Sequence, residues 1–220
     1  MDTNQTNKNP KASAKRIKEA WKTYLPKFGR SYATVKAFIE EMDIPQAEFY
    51  QHFSSILALE EAIWLEYFTE TLETLQSDAD YEVFPVGEKL LSFYYTFVTI
   101  LKPDRSYITY TYFNSDNAGW VTPEYLCELY EAFKAYTQSL IKEGIQTGEI
   151  MDRYLLTDQY QGGVWLQFLF ILDFWVKDGS ENFNRTDAAI EKSVILGFDL
   201  MGRTFFDTLF DFAKFIFQSN

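Results

Sequence analysis

Residues 16–59 read RIKEAWKTYLPKFGRSYATVKAFIEEMDIPQAEFYQHFSSILAL, and the spacing of their apolar side chains decides the fold. Ile17, Ala20, Trp21 and Tyr24 recur at offsets 0, 3, 4 and 7, which places them on one face of a helix. Pro26 is expected to end that helix and Gly29 to turn the chain. Val35, Phe38, Ile39 and Met42 repeat the same offsets and predict a second helix. After the break at Asp43-Ile44, Pro45 is well placed in the first turn of a third helix running through Phe49, Tyr50 and Phe53, because a first-turn residue needs no backbone donor. Three short helices thus occupy about forty residues.

Downstream, Ser54 or Ser55 suits the cap of a fourth helix through Leu59, Ile63, Trp64, Phe68, Leu72 and Leu75, stopped at Asp78-Ala79-Asp80. Helices are predicted over 86–101, 104–113, 123–147, 154–178 and 186–218, divided by turn signals at Lys102-Pro103-Asp104, Asn114 to Gly119 and Asp178-Gly179-Ser180. No strand pattern or internal repeat competes. The reading is an all-α chain of about nine helices: a three-helix region over 11–56 and a larger helical body over 57–220.

In the last predicted helix Ile190, Val194, Phe198, Met201, Phe205, Leu209, Phe212 and Ile216 step by three or four, while Phe206, Phe210 and Phe217 add apolar surface beside them. A four-helix arrangement of the last two helices from each of two subunits would bury this surface. The expectation is therefore a homodimer with Phe198, Met201, Phe205, Leu209 and Phe212 in its interface, against the alternative of a monomeric core. Gly162-Gly163 lies inside an otherwise helical run, where each glycine costs roughly 1 kcal/mol relative to Ala. Close helix approach or a kink beside a pocket would compensate, with a mobile hinge as the rival explanation.

The composition excludes much chemistry. With one cysteine, Cys127, and one histidine, His52, the chain of 220 residues has no intramolecular disulfide and too few ligands for a Cys/His zinc site. Ser-His-Asp and Cys-His catalysis lack parts for the same reason, and no local pattern singles out a carboxylate pair among 32 acids. No catalytic residue, metal or cofactor is assigned, and the expectation is a protein that is not an enzyme. Cys127 is expected to be an inert core thiol. The polar start MDTNQTNKNPKASAKRIK lacks the apolar segment of a signal peptide. Val164 to Val176, the longest strongly apolar stretch, is shorter than a membrane span. A cytoplasmic location is the resulting expectation. An aromatic fraction of 19% leaves many rings to place.

Charge is distributed unevenly. Residues 1–60 hold nine Lys and Arg against seven Asp and Glu, whereas the whole chain has a formal net charge of −12. All nine of those cations fall between residues 8 and 36, with Glu19 as the one acid among them. The basic charge is a local stripe suited to phosphates, on a molecule too acidic to bind nucleic acid indiscriminately.

The stretch from Arg16 to Leu59 resembles the DNA-binding region of the tetracycline-repressor family of bacterial regulators. Ile17, Ala20 and Trp21 match its first helix, Phe28-Gly29 part of its turn, and Ala33-Thr34-Val35 the start of its second helix. The most specific match is Phe49-Tyr50-Gln51-His52-Phe53-Ser54-Ser55, which looks like the family's Leu-Tyr-x-His-Phe-x-Ser signature. The resemblance implies a ligand-responsive transcriptional regulator, a repressor, that binds double-stranded operator DNA as a homodimer, with its third helix in the major groove. Ala47, Glu48, Tyr50, Gln51 and His52 would then face DNA, Tyr50 and His52 on phosphates and Gln51 or Gln46 on a base edge. Thr34 joins this face, and Lys11, Lys15, Arg16, Lys18, Arg30 and Lys36 would supply phosphate contacts. For His52, packing beside Phe53 is the equal alternative.

For a bound apolar or aromatic small molecule, the family's cavity points to Phe93, Phe97, Tyr112, Phe113, Trp120, Tyr130, Phe133, Trp165 and Phe168. The sequence departs from the family at Asp43, where Gly is usual; at Glu48, where a small hydroxyl residue is usual; and at Ile56, where Lys is usual. From Ala37 to Glu60 there is no Lys or Arg. A second reading follows from that acidic helix: a protein of the same fold that no longer binds DNA and holds a lipid or other apolar molecule instead.

Overall fold

The computed structural model describes residues 10–114, 122–152 and 157–202. Among them the chain forms nine α-helices and no strand. These are α1 (Pro10–Phe28), α2 (Val35–Glu41), α3 (Gln46–His52), α4 (Ile56–Gln76), α5 (Val86–Leu101), α6 (Arg105–Asn114), α7 (Cys127–Thr147), α8 (Thr157–Lys177) and α9 (Asn184–Met201). The apolar periodicity has the same cause throughout: an amphipathic helix is held chiefly by the face it buries. No helix among the described residues is long and apolar enough to cross a membrane.

The helices fall into two compact units. The first gathers the described residues up to Glu66 together with Pro103–Asn114 and Thr122–Glu128, so it takes in the first half of α4 and all of α6. Its centre is a ring cluster. Trp21 meets Phe38 edge-on at 5.0 Å and stacks on Tyr24 at 5.6 Å, and Phe38 meets Phe49 at 6.2 Å. All four side chains are buried, and a fully buried side chain of this size contributes about 1.5–3 kcal/mol relative to exposure.

Helix α1 departs from expectation. Pro26 does not end it but lies inside its last turn, where only the one backbone bond that proline cannot donate is lost. The helix stops at Phe28, and Gly29 makes the turn with φ of 82°, a conformation that a residue with a Cβ rarely adopts. A Cβ there would also press to 3.1 Å from the Tyr110 hydroxyl, which accepts a 2.9 Å hydrogen bond from the Arg30 N–H.

The same unit buries a carboxylate. Glu60 on α4 is 3% exposed and accepts from Arg30 Nη1 at 2.7 Å and Trp21 Nε1 at 3.2 Å. Burial pushes its carboxyl above the ordinary range against the opposing pull of Arg30 and Trp21. Lys22 ties α1 to Asp104 beside α6 at 2.7 Å.

The second unit contains Tyr67–Lys102 and the described residues from Leu129 onward. Helices α8 and α9 pack against each other, and α9 also packs on α5. The core is aromatic, with Phe93 meeting Phe68, Phe97, Phe133 and Tyr136 at 5.2–5.8 Å. Lys89 of α5 is only 4% exposed and pairs with Glu143 of α7 at 2.7 Å, beside a 2.8 Å hydrogen bond between the Tyr81 and Tyr136 hydroxyls.

Three further expectations are corrected. The helix predicted over 186–218 is interrupted: α9 ends at Met201, where Gly202 turns to extended backbone and a Cβ would lie 2.9 Å from the Phe198 carbonyl oxygen, and 203–218 lie outside the described residues. Gly162 and Gly163 meet no close helix among the described residues, where a Cβ at either would find nothing within 4 Å; both lie on the exposed face of α8. Cys127 is exposed at the start of α7 instead of buried in a core, since its side chain falls on the outer side of the turn that inserts Tyr125, Leu126 and Leu129.

Candidate nucleic-acid interface

Helices α2 and α3 are set by their ends. Thr34 caps α2 by accepting from the Ala37 N–H at 3.2 Å, as the sequence start Ala33-Thr34-Val35 predicts. Between the helices Asp43 takes φ of 49°, in the left-handed region that favours glycine. The turn then sends the Ile44 N–H back to the Ile39 carbonyl at 2.9 Å and Ile44 into the core. Phe49 and Phe53 fix the inward side of α3, with their rings 6.0 Å apart.

With those rings inside, helical geometry turns Gln46, Ala47, Tyr50 and Gln51 outward, and all four are exposed. Tyr50 is 51% exposed and rests edge-on against Phe49 at 5.4 Å. Thr34 and Lys36 are exposed beside them on α2. His52 is half-buried, its ring 6.2 Å from that of Phe53 and its Nε2 without a hydrogen-bond partner among the described residues.

Glu48 takes another direction. Its carboxylate turns to α1, where Ser13 Oγ donates to Oε1 and Arg16 Nη2 donates to the same oxygen at 2.8 Å. Only 12% of the Glu48 side chain is exposed, against 48% for Arg16. The outward surface of α3 is therefore uncharged, although the helix contains an acid.

The basic stripe divides into free and paired cations. Lys15 is exposed and makes no ion pair among the described residues, and Lys36 approaches Glu40 only at 3.9 Å. Lys18 pairs with Glu66 at 2.5 Å, and Arg30 with the buried Glu60. Each of these pairs takes a cation away from solvent. The side chain of Lys11 lies outside the described ones.

The rings proposed for a small molecule are split. Phe93, Phe97, Tyr130, Phe133, Trp165 and Phe168 come together in the second unit: Trp165 stacks on Phe168 at 4.9 Å, Phe168 reaches Phe97 at 5.2 Å, and Tyr130 reaches Trp165 at 4.8 Å. Tyr112 and Phe113 belong to the first unit, where Phe113 is 56% exposed. Trp120 lies outside the described residues.

Of the proposed dimer residues, Phe205, Leu209 and Phe212 also lie outside them. Met201 is buried within its own unit, and Phe198 is half-buried beside Gly87. The exposed apolar side chains of these helices are Leu166 and Phe170 on α8 and Ile195, Leu196 and Leu200 on α9, which the sequence reading did not select. Their signal is present: Gly162, Gly163, Leu166 and Phe170 share one side of α8 at helical spacing.

Comparison with known proteins gives a consistent result. Residues 89–216 match the family of tetracyclin repressor-like C-terminal domains, which is more than half of the chain. A solved structure described as a TetR-family transcriptional regulator from Syntrophomonas wolfei superposes with a TM-score of 0.67 at 13% identity, covering 88% of this chain and 96% of that one. A bacterial regulatory protein of the tetR family from Rhodococcus RHA1 superposes with a TM-score of 0.55 at 17% identity, covering 86% and 97%. No curated protein matches. The amino-terminal signature, the all-α fold and the matched body lead to one conclusion: the chain belongs to the tetracycline-repressor family.

Proposed function

We propose that the protein is a ligand-responsive transcriptional repressor that binds operator DNA as a homodimer, with α3 entering the major groove. The observation that carries this reading is the outward face of α3. Gln46 and Gln51 offer amides suited to base edges, Tyr50 offers a hydroxyl suited to a phosphate, and no charge stands among them. Lys15 and Lys36 are exposed cations of the same unit available to the DNA backbone, so affinity rests on few phosphate contacts and specificity on the amides. The apolar faces of α8 and α9 support pairing with a second copy, and the ring cluster around Phe93, Phe133 and Phe168 supports an apolar or aromatic effector.

A second reading rests on the paired cations. With Lys18, Lys22, Arg30 and Arg16 each held by an acid, the same fold would serve as a binder of a lipid or other apolar molecule without DNA.

Selection from a random duplex library separates the two. Purified protein is expected to enrich a two-fold symmetric site at about 50 mM salt, with the enriched sequence still bound at about 200 mM. Failure of a folded protein to enrich any sequence at either salt would remove DNA from its function and leave the second reading.

A further inference from the structure

The contact between Glu48 and α1 has the chemistry of an anion site already filled. Ser13 is 7% exposed, and its hydroxyl is aimed at a single carboxylate oxygen. The Arg16 guanidinium converges on that same oxygen from the solvent side, and nearly half of the side chain stays exposed. A buried hydroxyl and a half-exposed guanidinium meeting on one oxygen form a donor set that a phosphate oxygen would also satisfy. The anion present is supplied by α3, the helix whose outward face carries Gln46, Tyr50 and Gln51. Lys15, the adjacent residue on α1, is exposed and free of ion pairs among the described residues, so the neighbourhood stays attractive to a polyanion.

We propose that Ser13 and Arg16 form a phosphate subsite of the DNA interface and that the Glu48 carboxylate occupies it in the free protein, as a built-in competitor for the DNA backbone. The proposal rests on the DNA-binding reading above. Glu48 then reads no base: it sets how much of the Arg16 charge is released to DNA. Binding at this subsite exchanges one anion for another, so the phosphate gains only the difference between its own contact and the one it displaces. Replacing the carboxylate by an amide of the same shape keeps an acceptor for Ser13 and removes the competing charge.

The test measures binding of a fluorescein-labelled 30-base-pair duplex of random sequence between about 50 and about 200 mM salt, for wild type, Glu48→Gln, Arg16→Gln and the double variant. Glu48→Gln is expected to tighten binding about two- to fivefold at the lower salt, the range of one exposed ion pair. It is also expected to steepen the dependence of log K on log salt by about one per protomer. Both effects are expected to disappear in the Arg16→Gln background, because the competition acts through that guanidinium. An unchanged or weaker affinity of Glu48→Gln would overturn the proposal while leaving DNA binding intact. So would an equal gain in both backgrounds, which is the result of a general loss of negative charge. If neither wild type nor any variant binds duplex at about 50 mM salt, the DNA-binding reading falls and the subsite with it.

Discussion

At the scale of single residues, acids in the amino-terminal region do three different jobs that their letters do not distinguish. Glu48 is turned into a contact with α1, Glu60 is buried against Arg30 and Trp21, and Asp43 holds a left-handed turn. The last is a backbone role and carries its own prediction. Alanine at position 43 would meet the left-handed penalty without the tolerance that Asp shows there, and is expected to cost about 1–2 kcal/mol. Glycine, at ease at that φ but more flexible when unfolded, is expected to stay within about 0.5 kcal/mol of wild type. Urea denaturation midpoints of the two variants decide it, and equal stability of both would remove the turn as a strained site. The distinct fates of Glu48 and Glu60 were not legible in the sequence, because each partner lies about thirty or more residues away with no periodic relation to it.

At the scale of elements, periodicity was a good guide where one helix face is buried and a poorer one at helix ends. The starts of α2 and α4 were readable from Thr34 and Ser55, whose side chains accept from the Ala37 and Ala58 N–H groups. The end of α9 was not readable, since apolar residues continue beyond Gly202 and the stop is a backbone event. The link between α8 and α9 depends on an ordinary-looking aspartate. Burial pushes the Asp178 carboxyl up, but donation from Thr186 Oγ1 at 2.7 Å, Ser180 N–H at 2.8 Å and Thr186 N–H at 2.9 Å outweighs it and holds the pKa at about 2. A carboxyl lowered on folding adds stability that is fully present above its unfolded value and declines as pH falls towards the folded one. Stability from this group is thus expected above about pH 4 and to be lost between about pH 4 and 2. Asp178→Asn is expected to cost about 1–3 kcal/mol at neutral pH and to flatten the acid limb of a stability-against-pH curve. An unaltered acid limb would mean the hydrogen bonds are present but not coupled to folding.

At the scale of the whole molecule, the strongest unspent feature is apolar surface. Ile195 and Leu196 are each 59% exposed on α9, with Leu200 on the same helix and Leu166 and Phe170 on the adjoining α8. Large exposed apolar patches mark contact sites, and a two-fold pairing would present this face to itself. Replacing Leu196 and Leu200 together by Glu is expected to yield monomers in sedimentation equilibrium, with helix content kept, and dimers of unchanged strength would assign this face to another purpose. The apolar density of α8 and α9 was legible in the sequence, whereas which of their side chains the unit itself buries was not. Phe198 and Met201 look equally suitable in sequence but are drawn into their own unit.

The buried Glu60 has a further meaning for how such a protein can be cut and recombined. The helix-turn-helix ends in sequence at His52, yet Trp21 and Arg30 find their acceptor on α4, and the turn at Gly29 leans on Tyr110 of α6. A fragment stopped after residue 56 would leave an indole, a guanidinium and an amide of its own core without those partners. The amino-terminal unit is therefore discontinuous in sequence: a chimera that moves it to another body is expected to need the described residues between Pro103 and Glu128 along with those up to Glu66.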